Sequence, residues 1–327
     1  MKDFDYVVAK SAEEAARQGK AANARYIAGG TLLVDLMRLN VERPELVIDV
    51  NQALSSEIRA EDDRLFIGAL ARNSDLAHHE RVKSDYPVLS EALLAGASPQ
   101  LRNMATVGGN LLQRTRCAYF RDPAFRECNK RHPGSGCAAM QGFTRMHAIL
   151  GGSDHCIAAH PSDMSVALLA LDAVIHTQGD GTSRAIPIAE FHTLPGDHPE
   201  IETALTKGEL VTSVEVPRQG FSKTSAYVKA RDRASYAFAL ASAGVALEFD
   251  GGRIRAARVA LGGVSTKPWR AAETEAALVG SIPSEDSFAS AAKLAANGAK
   301  TTPDNDFKRK LTERVVLAAL TRAWKRS

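Results

Sequence analysis

The sequence has few cysteines, no long hydrophobic run and no large excess of charge of either sign. Only 4 of its 327 residues are cysteine, too few for the disulfide framework of a small secreted protein. No stretch approaches the roughly 18 consecutive apolar residues of a membrane-spanning helix, so we expect no membrane span. The formal net charge is only +3, with both signs interspersed, so we also expect no nucleic-acid partner.

The N-terminus lacks the features of an export signal. The segment MKDFDYVVAK has an early acidic residue and leads into no apolar run or small-residue cleavage site, so we expect no signal peptide of its own. Taken alone, this predicts a cytoplasmic protein. In such a reducing compartment, clustered thiols are better explained by a metal than by disulfides.

Length and pattern predict an α+β protein with more than one domain. A chain of 327 residues, 45% of them hydrophobic, exceeds the size at which a single core usually stops growing. We place a boundary near residue 220, where the pattern changes. Beyond it, strands around a Gly251-Gly252 hairpin turn are followed by three alanine-rich helices.

Two glycine-rich loops, YIAGGT and TVGGN, stand in front of predicted helices. The first joins a strand at residues 25–28 to a helix at 31–40, and a strand at 45–50 completes a βαβ unit. Such loops let backbone N–H groups approach an anion such as a pyrophosphate, although a tight turn alone also explains one of them. Two loops favour an extended phosphate ligand. Neither is G-x-G-x-x-G, so we expect no Rossmann NAD site.

All four cysteines lie in one basic window. Cys117, Cys128, Cys137 and Cys156 are separated by ten, eight and eighteen residues, without the C-x-x-C pairs of structural zinc sites. Four thiolates are the usual complement of a 4Fe-4S cluster. The alternatives are a tetrahedral zinc site, two disulfides or four unremarkable free thiols.

Basic residues and histidines accompany the cysteines. We expect the basic side chains to offset thiolate charge: Arg114, Arg116, Arg121, Arg126, Lys130, Arg131 and Arg145. We expect the nearby histidines to be surface residues rather than ligands that replace a thiolate: His132, His147, His155 and His160.

Four segments, in order, resemble the FAD-binding subunit of the molybdenum hydroxylases, the family of xanthine dehydrogenase and carbon monoxide dehydrogenase flavoproteins. They are IAGGTLLVDL, SPQLRNMATVGGNLL, HPSDMSVALLALDA and YVKARDRASYAFALASAGVAL. The resemblance covers essentially the whole chain. It implies a two-subdomain FAD-binding domain of the vanillyl-alcohol-oxidase (PCMH) type, with subdomains 1–55 and 56–220. A small α/β C-terminal domain, an antiparallel sheet plus helices, is implied at 221–327.

The resemblance also assigns FAD-binding roles by position. The first diphosphate loop is expected at Ile27, Ala28, Gly29, Gly30, Thr31, Leu32, Leu33 and Val34, and the second at Ala105, Thr106, Gly109 and Asn110. Asp163 matches an aspartate near the ribityl or ribose hydroxyls, Lys229 a lysine near the flavin, and Val211 a nonpolar contact. Without the resemblance, Asp163 is equally well a helix cap and Lys229 a solvated strand residue.

A long segment separates Asn110 from Ser162, whereas most of the family passes almost directly between these motifs. The flavin subunits of bacterial periplasmic aldehyde oxidoreductase and of 4-hydroxybenzoyl-CoA reductase carry an inserted loop with a 4Fe-4S cluster. The segments GNLLQRTRCAYFRD and CNKRHPGSGCAA resemble the former. This implies an insertion at about residues 113–157 in which all four cysteines are cluster ligands.

The resemblance implies an electron-transfer subunit of a heterotrimeric molybdenum hydroxylase of the aldehyde oxidoreductase kind. FAD would take electrons from 2Fe-2S clusters of a small partner and pass them to an external acceptor, while a large partner holds the molybdenum cofactor. This chain has no C-x4-C-x2-C run and no evident general base. Export to the periplasm with a signal-bearing partner is implied. The alternatives are a stand-alone FAD-dependent oxidoreductase and a non-catalytic zinc-binding protein of the same fold.

Overall fold

The computed structural model describes all 327 residues and contains three β-sheets with helices packed against them. A three-stranded parallel sheet forms near the N-terminus, a five-stranded antiparallel sheet in the middle and a four-stranded antiparallel sheet toward the C-terminus. The predicted α+β class is therefore confirmed. None of the helices is both long enough and apolar enough to cross a membrane.

The N-terminal sheet is the predicted βαβ unit preceded by one further strand. Its elements are β1 (Asp5–Val8), α1 (Ala12–Gln18), β2 (Ala24–Ile27), α2 (Leu33–Arg38) and β3 (Leu46–Asp49). β3 lies between β1 and β2 and is parallel to both. The Ser11 hydroxyl accepts a hydrogen bond from the Glu14 backbone N–H at 3.1 Å and caps α1. The first glycine loop joins β2 to α2.

The middle sheet has the strand order β4-β5-β8-β6-β7. Its strands are β4 (Ile58–Ala60), β5 (Arg64–Gly68), β6 (Val174–Gln178), β7 (Ser183–Pro187) and β8 (Leu210–Pro217). The helices of this part are α3 (Asn73–His78), α4 (Glu80–Asp85), α5 (Pro87–Ala95), α6 (Pro99–Arg102), α7 (Val107–Leu111), α8 (Ala118–Arg121), α9 (Asp163–Ala170) and α10 (Ile188–Phe191). Every residue of α9 is buried, because its sequence is apolar on nearly all sides.

The chain between α7 and α9 is a long loop with little regular structure. It contains only α8 and a 3-10 turn (Ala138–Gln141). The loop has its own small apolar centre, in which Phe120 and Cys128 pack against Leu36 of α2. This contact fixes the cysteine-bearing loop onto the helix that follows the first glycine loop.

The C-terminal part consists of a four-stranded antiparallel sheet and three helices. Its elements are β9 (Ser225–Ala230), β10 (Ala241–Asp250), β11 (Arg253–Gly262), β12 (Trp269–Arg270), α11 (Ala272–Leu278), α12 (Glu285–Ala292) and α13 (Phe307–Trp324). Gly251 and Gly252, with φ of 56° and 77°, close the β10–β11 hairpin, which confirms the predicted turn. The three predicted helices are present, and α13 packs on β10 and β9.

Candidate functional site

The two glycine loops face one cavity of about 530 Å³, a size typical of cofactor sites. Residues predicted from both loops and from the later motifs line it together: Thr31, Leu32, Ala105, Gly109, Asn110, Asp163 and Lys229. Other predicted residues belong to the same loops but do not line the cavity: Ile27, Ala28, Gly29, Gly30, Leu33, Val34 and Thr106. Val211 also lies outside the lining, buried in β8 opposite Thr177.

The glycine loops are fitted to each other through their backbones. A Cβ at Gly29 would overlap the backbone carbonyl of Met104, just before the second loop. Gly30 has a φ of +69°, which a residue with a side chain rarely adopts. In the second loop, the Thr106 hydroxyl accepts a hydrogen bond from the Gly109 N–H at 3.2 Å and caps α7. Glycine is therefore required by the backbone at Gly29 and Gly30, whereas Gly109 of the second loop lines the cavity itself.

Asp163 is the centre of a buried polar group at the cavity wall. Its carboxylate accepts a hydrogen bond from Lys229 Nζ at 2.7 Å and another from the Tyr227 hydroxyl at 2.5 Å. The Lys229 side chain is only 3% exposed, so it is not the solvated strand residue that its type alone suggests. Because a carboxylate can accept about four hydrogen bonds, Asp163 keeps acceptor capacity toward the cavity.

The helix-cap alternative for Asp163 is wrong. The Ser162 hydroxyl caps α9 by accepting from the Ser165 N–H at 3.0 Å, and Asp163 is the first residue of the helix. Burial, followed by the charge of Asp163, raises the pKa of Tyr227 well above its usual range. Tyr227 therefore stays protonated and donates to Asp163.

The cavity carries an excess of positive charge. Its lining includes four basic and two acidic side chains: Arg102, Arg116, Lys229, Arg233, Asp163 and Asp232. Lys229 is neutralised by Asp163, and Arg116 bonds Asp35 of α2 at 3.1 Å while stacking on Phe238 at 4.8 Å from the ring centroid. This balance suits a ligand with a negatively charged diphosphate.

The four cysteines line a second, small cavity together. All four are free thiols, so the disulfide alternative is not realised. The backbones of Cys128 and Cys137 pair in an isolated antiparallel β-bridge, and those of Ser153 and Cys156 pair in another. No three His, Cys, Asp or Glu side chains are gathered so as to hold a single metal ion.

Backbone N–H groups lie beside three of the cysteine sulfurs, those of Cys117, Cys137 and Cys156. The amides of Tyr119 and Phe120 lower the pKa of Cys117, and those of Ala139 and Met140 lower that of Cys137. Burial outweighs them and raises the pKa of Cys117 to about 12. Burial likewise raises the pKa of Cys137 and of Cys156. These three thiols, Cys117, Cys137 and Cys156, are therefore protonated near neutral pH, and any metal must displace their protons.

Most basic residues of the loop pair with carboxylates or with backbone carbonyls. The prediction that their charge offsets that of the cysteine thiolates is therefore wrong for these residues. Arg116 and Arg121 both bond Asp35, the latter at 2.6 Å. Similar bonds join Arg114 to Glu42 and Glu202, Lys130 to Glu202, Arg145 to Asp232, and Arg131 to the carbonyls of Tyr119, Phe120 and Phe125. Lys130 alone also lies close enough to lower the pKa of Cys156 against burial. The arginines mainly clamp the loop to its surroundings.

The histidines divide into two kinds. His132 and His155 are exposed, as predicted, but His147 is only 4% exposed. Its Nε2 lies 3.2 Å from Cys117 Sγ, and burial lowers its pKa to about 4. The ring Nε2 of His160 is also buried, without a hydrogen-bond partner. The surface prediction is therefore wrong for His147 and for the ring of His160.

A third cavity, of about 230 Å³, lies between the other two. Arg116, Asp163 and Phe238 line both this cavity and the larger one, and Cys117 and His147 line its far side. Cys117 directly follows Arg116 in the chain. The two candidate cofactor sites are therefore neighbours that are linked through this third cavity.

Sequence reasoning missed three residues in and around these cavities: Tyr227, which bonds Asp163, and the lining residues Arg102 and Phe238. Tyr227 had a detectable signal, because residues two apart on a strand share a face and Tyr227 stands two before Lys229. Phe238 and Arg102 had none, since their position depends on how distant segments pack.

Comparisons with known proteins match this arrangement over the whole chain. Residues 2–219 match the family described as the FAD binding domain in molybdopterin dehydrogenase, and residues 225–326 match the CO dehydrogenase flavoprotein C-terminal domain. The aldehyde oxidoreductase FAD-binding subunit PaoB of Escherichia coli (strain K12) is 50% identical over 326 residues, covering 99% of both chains. The glyceraldehyde dehydrogenase medium chain of Sulfolobus acidocaldarius is 31% identical over 287 residues, covering 87% of this chain and 84% of the relative.

Solved structures show the same fold. A carbon monoxide dehydrogenase from Hydrogenophaga pseudoflava has a chain that aligns with a TM-score of 0.75 at 26% identity, covering 99% of this chain and 98% of that one. The matches to two consecutive family domains and to a relative aligned over nearly its whole length agree with the cavity of about 530 Å³ between the glycine loops. On these grounds the chain belongs to the FAD-binding subunits of the molybdenum hydroxylase family and is an oxidoreductase subunit.

Proposed function

We propose that this chain carries both FAD and a 4Fe-4S cluster, as the electron-transfer subunit of a molybdenum hydroxylase that oxidises aldehydes to carboxylic acids. The observation that carries the proposal is the adjacency of the two sites: the glycine-loop cavity and the four-cysteine cavity are separated only by the space lined by Arg116, Asp163 and Cys117. Aldehydes are proposed as substrates because the 50% identical relative is an aldehyde oxidoreductase subunit.

The chain's own residues bind and orient the flavin cofactor. Backbone N–H groups of the two glycine loops receive the diphosphate, with Arg102 and Arg233 supplying positive charge. Asp163, oriented by Lys229 and Tyr227, accepts hydrogen bonds from sugar or ribityl hydroxyls. The roles predicted for the remaining loop residues, and for Val211, belong to the same proposal. When bound, FAD supplies the two-electron redox chemistry, and no side chain of this chain is assigned as a general base.

The four cysteines fit an iron-sulfur cluster better than zinc. They share one cavity, and backbone N–H groups lie beside the sulfur atoms of Cys117 and Cys137, the kind of donor that stabilises a ligating sulfur. No three of them converge as a single ion requires. The space between them is about 10 Å³, roughly that of one water molecule, so the proposal requires the sulfur atoms to move apart on loading. When bound, the cluster supplies one-electron chemistry.

The proposal includes partners and a location. A large subunit with the molybdenum cofactor and a small subunit with 2Fe-2S clusters complete the reaction, and an external acceptor removes the electrons. Relatives named as subunits or medium chains support an assembly of this kind. We keep a periplasmic location, reached by export with a signal-bearing partner, as the proposal, with the cytoplasm as alternative. The division at residue 220 is likewise part of the proposal.

The stand-alone oxidoreductase alternative makes a different prediction for isolated protein. When an aldehyde is added anaerobically to the complex assembled with both partners, the visible flavin band should bleach, because electrons reach this chain from the partners. The same aldehyde should leave the flavin of the isolated chain oxidised, while dithionite bleaches both. Bleaching of the isolated chain by aldehyde would favour the stand-alone enzyme, and an inert complex with intact cofactors would contradict the proposed substrate class.

A further inference from the structure

A buried histidine touches one of the proposed cluster ligands. Nε2 of His147 lies 3.2 Å from the sulfur of Cys117, and the residue is only 4% exposed. The sulfur atoms of the other three cysteines have no side-chain hydrogen-bond partner; the Cys156 sulfur accepts from the backbone of Ala158 at 3.5 Å. His147 is not needed to complete the set of four thiolates, so its position calls for another explanation.

The position of His147 is fixed from several sides. Its backbone N–H donates to the Thr144 carbonyl at 2.8 Å, and the ring of Tyr119 lies against the imidazole at a centroid distance of 5.9 Å. Its carbonyl accepts a hydrogen bond from Nζ of Lys308 at 2.9 Å. The imidazole is therefore held against Cys117 by contacts on its backbone and on its ring.

Cofactor binding does not explain why Lys308 is buried. It lies on α13 and is fully buried, although lysine is almost never buried without partners. Its Nζ also donates to the Gly263 carbonyl at 2.8 Å. The last helix thus holds the cysteine-bearing loop at His147 through this hydrogen bond, which explains why the lysine is buried.

The hydrogen-bond pattern leaves the imidazole free to donate to sulfur. Nδ1 of His147 is buried and has no partner, so nothing forces the ring proton onto Nδ1. A thiolate at Cys117 accepts but cannot donate, which favours the tautomer with the proton on Nε2. The ring then presents an N–H to the Cys117 sulfur, and the inference requires this contact, 3.2 Å in the structure, to be kept when the sulfur atoms move apart on loading.

We infer that His147 raises the reduction potential of the proposed cluster by donating its Nε2–H to the Cys117 sulfur, with Lys308 positioning it. This rests on the proposed function. A hydrogen bond to a ligating sulfur draws negative charge away from the cluster and stabilises the more negative reduced state, which is a general means of tuning such centres. Cys117 is also the ligand that lines the cavity next to the flavin site, so the tuning acts at the ligand facing the flavin.

The test is a redox titration of the cofactor-loaded full chain, followed by electron paramagnetic resonance of the reduced cluster. His147→Phe keeps the ring volume but removes the donor, and the equilibrium constant for cluster reduction should fall by about tenfold, equivalent to about 59 mV for a one-electron couple. His147→Gln retains an N–H donor and should restore most of the difference. The flavin potential should not move in either variant. The matched control is His132→Phe, an exposed histidine of the same loop, which should leave both potentials unchanged.

The outcomes separate this inference from the function on which it rests. A wild-type chain that takes up no iron contradicts the proposed function and the inference with it. An iron-loaded His147→Phe chain with the wild-type cluster potential contradicts the inference alone. Loss of iron from both the Phe and the Gln variant, while the wild-type chain keeps its iron, would show that His147 only supports the loop. That result would also overturn the inference.

Discussion

Replacing Cys128 by serine is expected to abolish iron binding while most of the flavin remains. Cys128 lines the four-cysteine cavity but neither the flavin cavity nor the space between them. Loss of one thiolate removes a quarter of the ligands that such clusters use, whereas the glycine loops lie outside the insertion. Iron and sulfide analysis, together with flavin released on denaturation, measures both cofactors in the same sample.

Cys117→Ser provides the matched comparison. Cys117 lines the space beside the flavin cavity and directly follows Arg116, which lines the flavin cavity itself. This variant should lose iron to the same extent and also weaken flavin retention. If a folded Cys128→Ser chain loses flavin together with iron, the two sites depend on each other and the proposed independence is wrong.

Replacing Asp163 by alanine is expected to remove the flavin and to destabilise the chain. The change leaves the buried ammonium of Lys229 with only the Ala95 carbonyl and no opposite charge, and it removes the acceptor of the Tyr227 hydroxyl. Breaking a buried ion pair on one side costs about 3–5 kcal/mol. The free energy of unfolding and the flavin content of the purified variant measure the two effects.

Two further variants separate stability from binding. Asp163→Ala combined with Lys229→Met removes both buried charges and should recover much of the stability without recovering the flavin. Asp172→Ala breaks pairs with Arg258 and Arg270 at 2.7 and 2.8 Å, away from the cavity, with an aspartate side chain 34% exposed. It should cost on the order of 1 kcal/mol and keep the flavin. Wild-type flavin content in the Asp163→Ala chain would contradict the role assigned to Asp163.

The local features of the fold were predictable because they depend on neighbours in sequence. The βαβ unit around the first glycine loop and the hairpin at Gly251-Gly252 formed as predicted, and the cap at Ser11 is an equally local feature. Each rests on a backbone requirement or a short side-chain bond, so a few adjacent residues suffice to specify it.

The polar partners of the site were not predictable from local pattern. Arg116 and Arg121 meet Asp35 of α2, and Lys229 meets Asp163, across long stretches of sequence. Which carboxylate an arginine reaches is decided by how the loop packs, through the contact of Phe120 with Leu36. Sequence placed these charges near the cysteines but not in the pairs they form.

The burial of His147 and Lys308 was also not predictable from the sequence. From residue type alone, histidine and lysine are expected mostly at the surface or only partly buried. His147 and Lys308 are buried because each finds partners that belong to other elements: a cysteine sulfur for the former, and two carbonyl groups for the latter. Such residues become visible only when the tertiary contacts are known.

The central claim, that one chain holds both FAD and a 4Fe-4S cluster in adjacent sites, is tested most directly by the cofactor content and visible spectrum of the purified full-length protein. The account predicts one flavin per chain, iron and sulfide in equal amounts at about four each, and a broad absorbance beneath the flavin bands that bleaches with dithionite. A colourless protein containing zinc, or a flavoprotein free of iron after anaerobic purification, would contradict it.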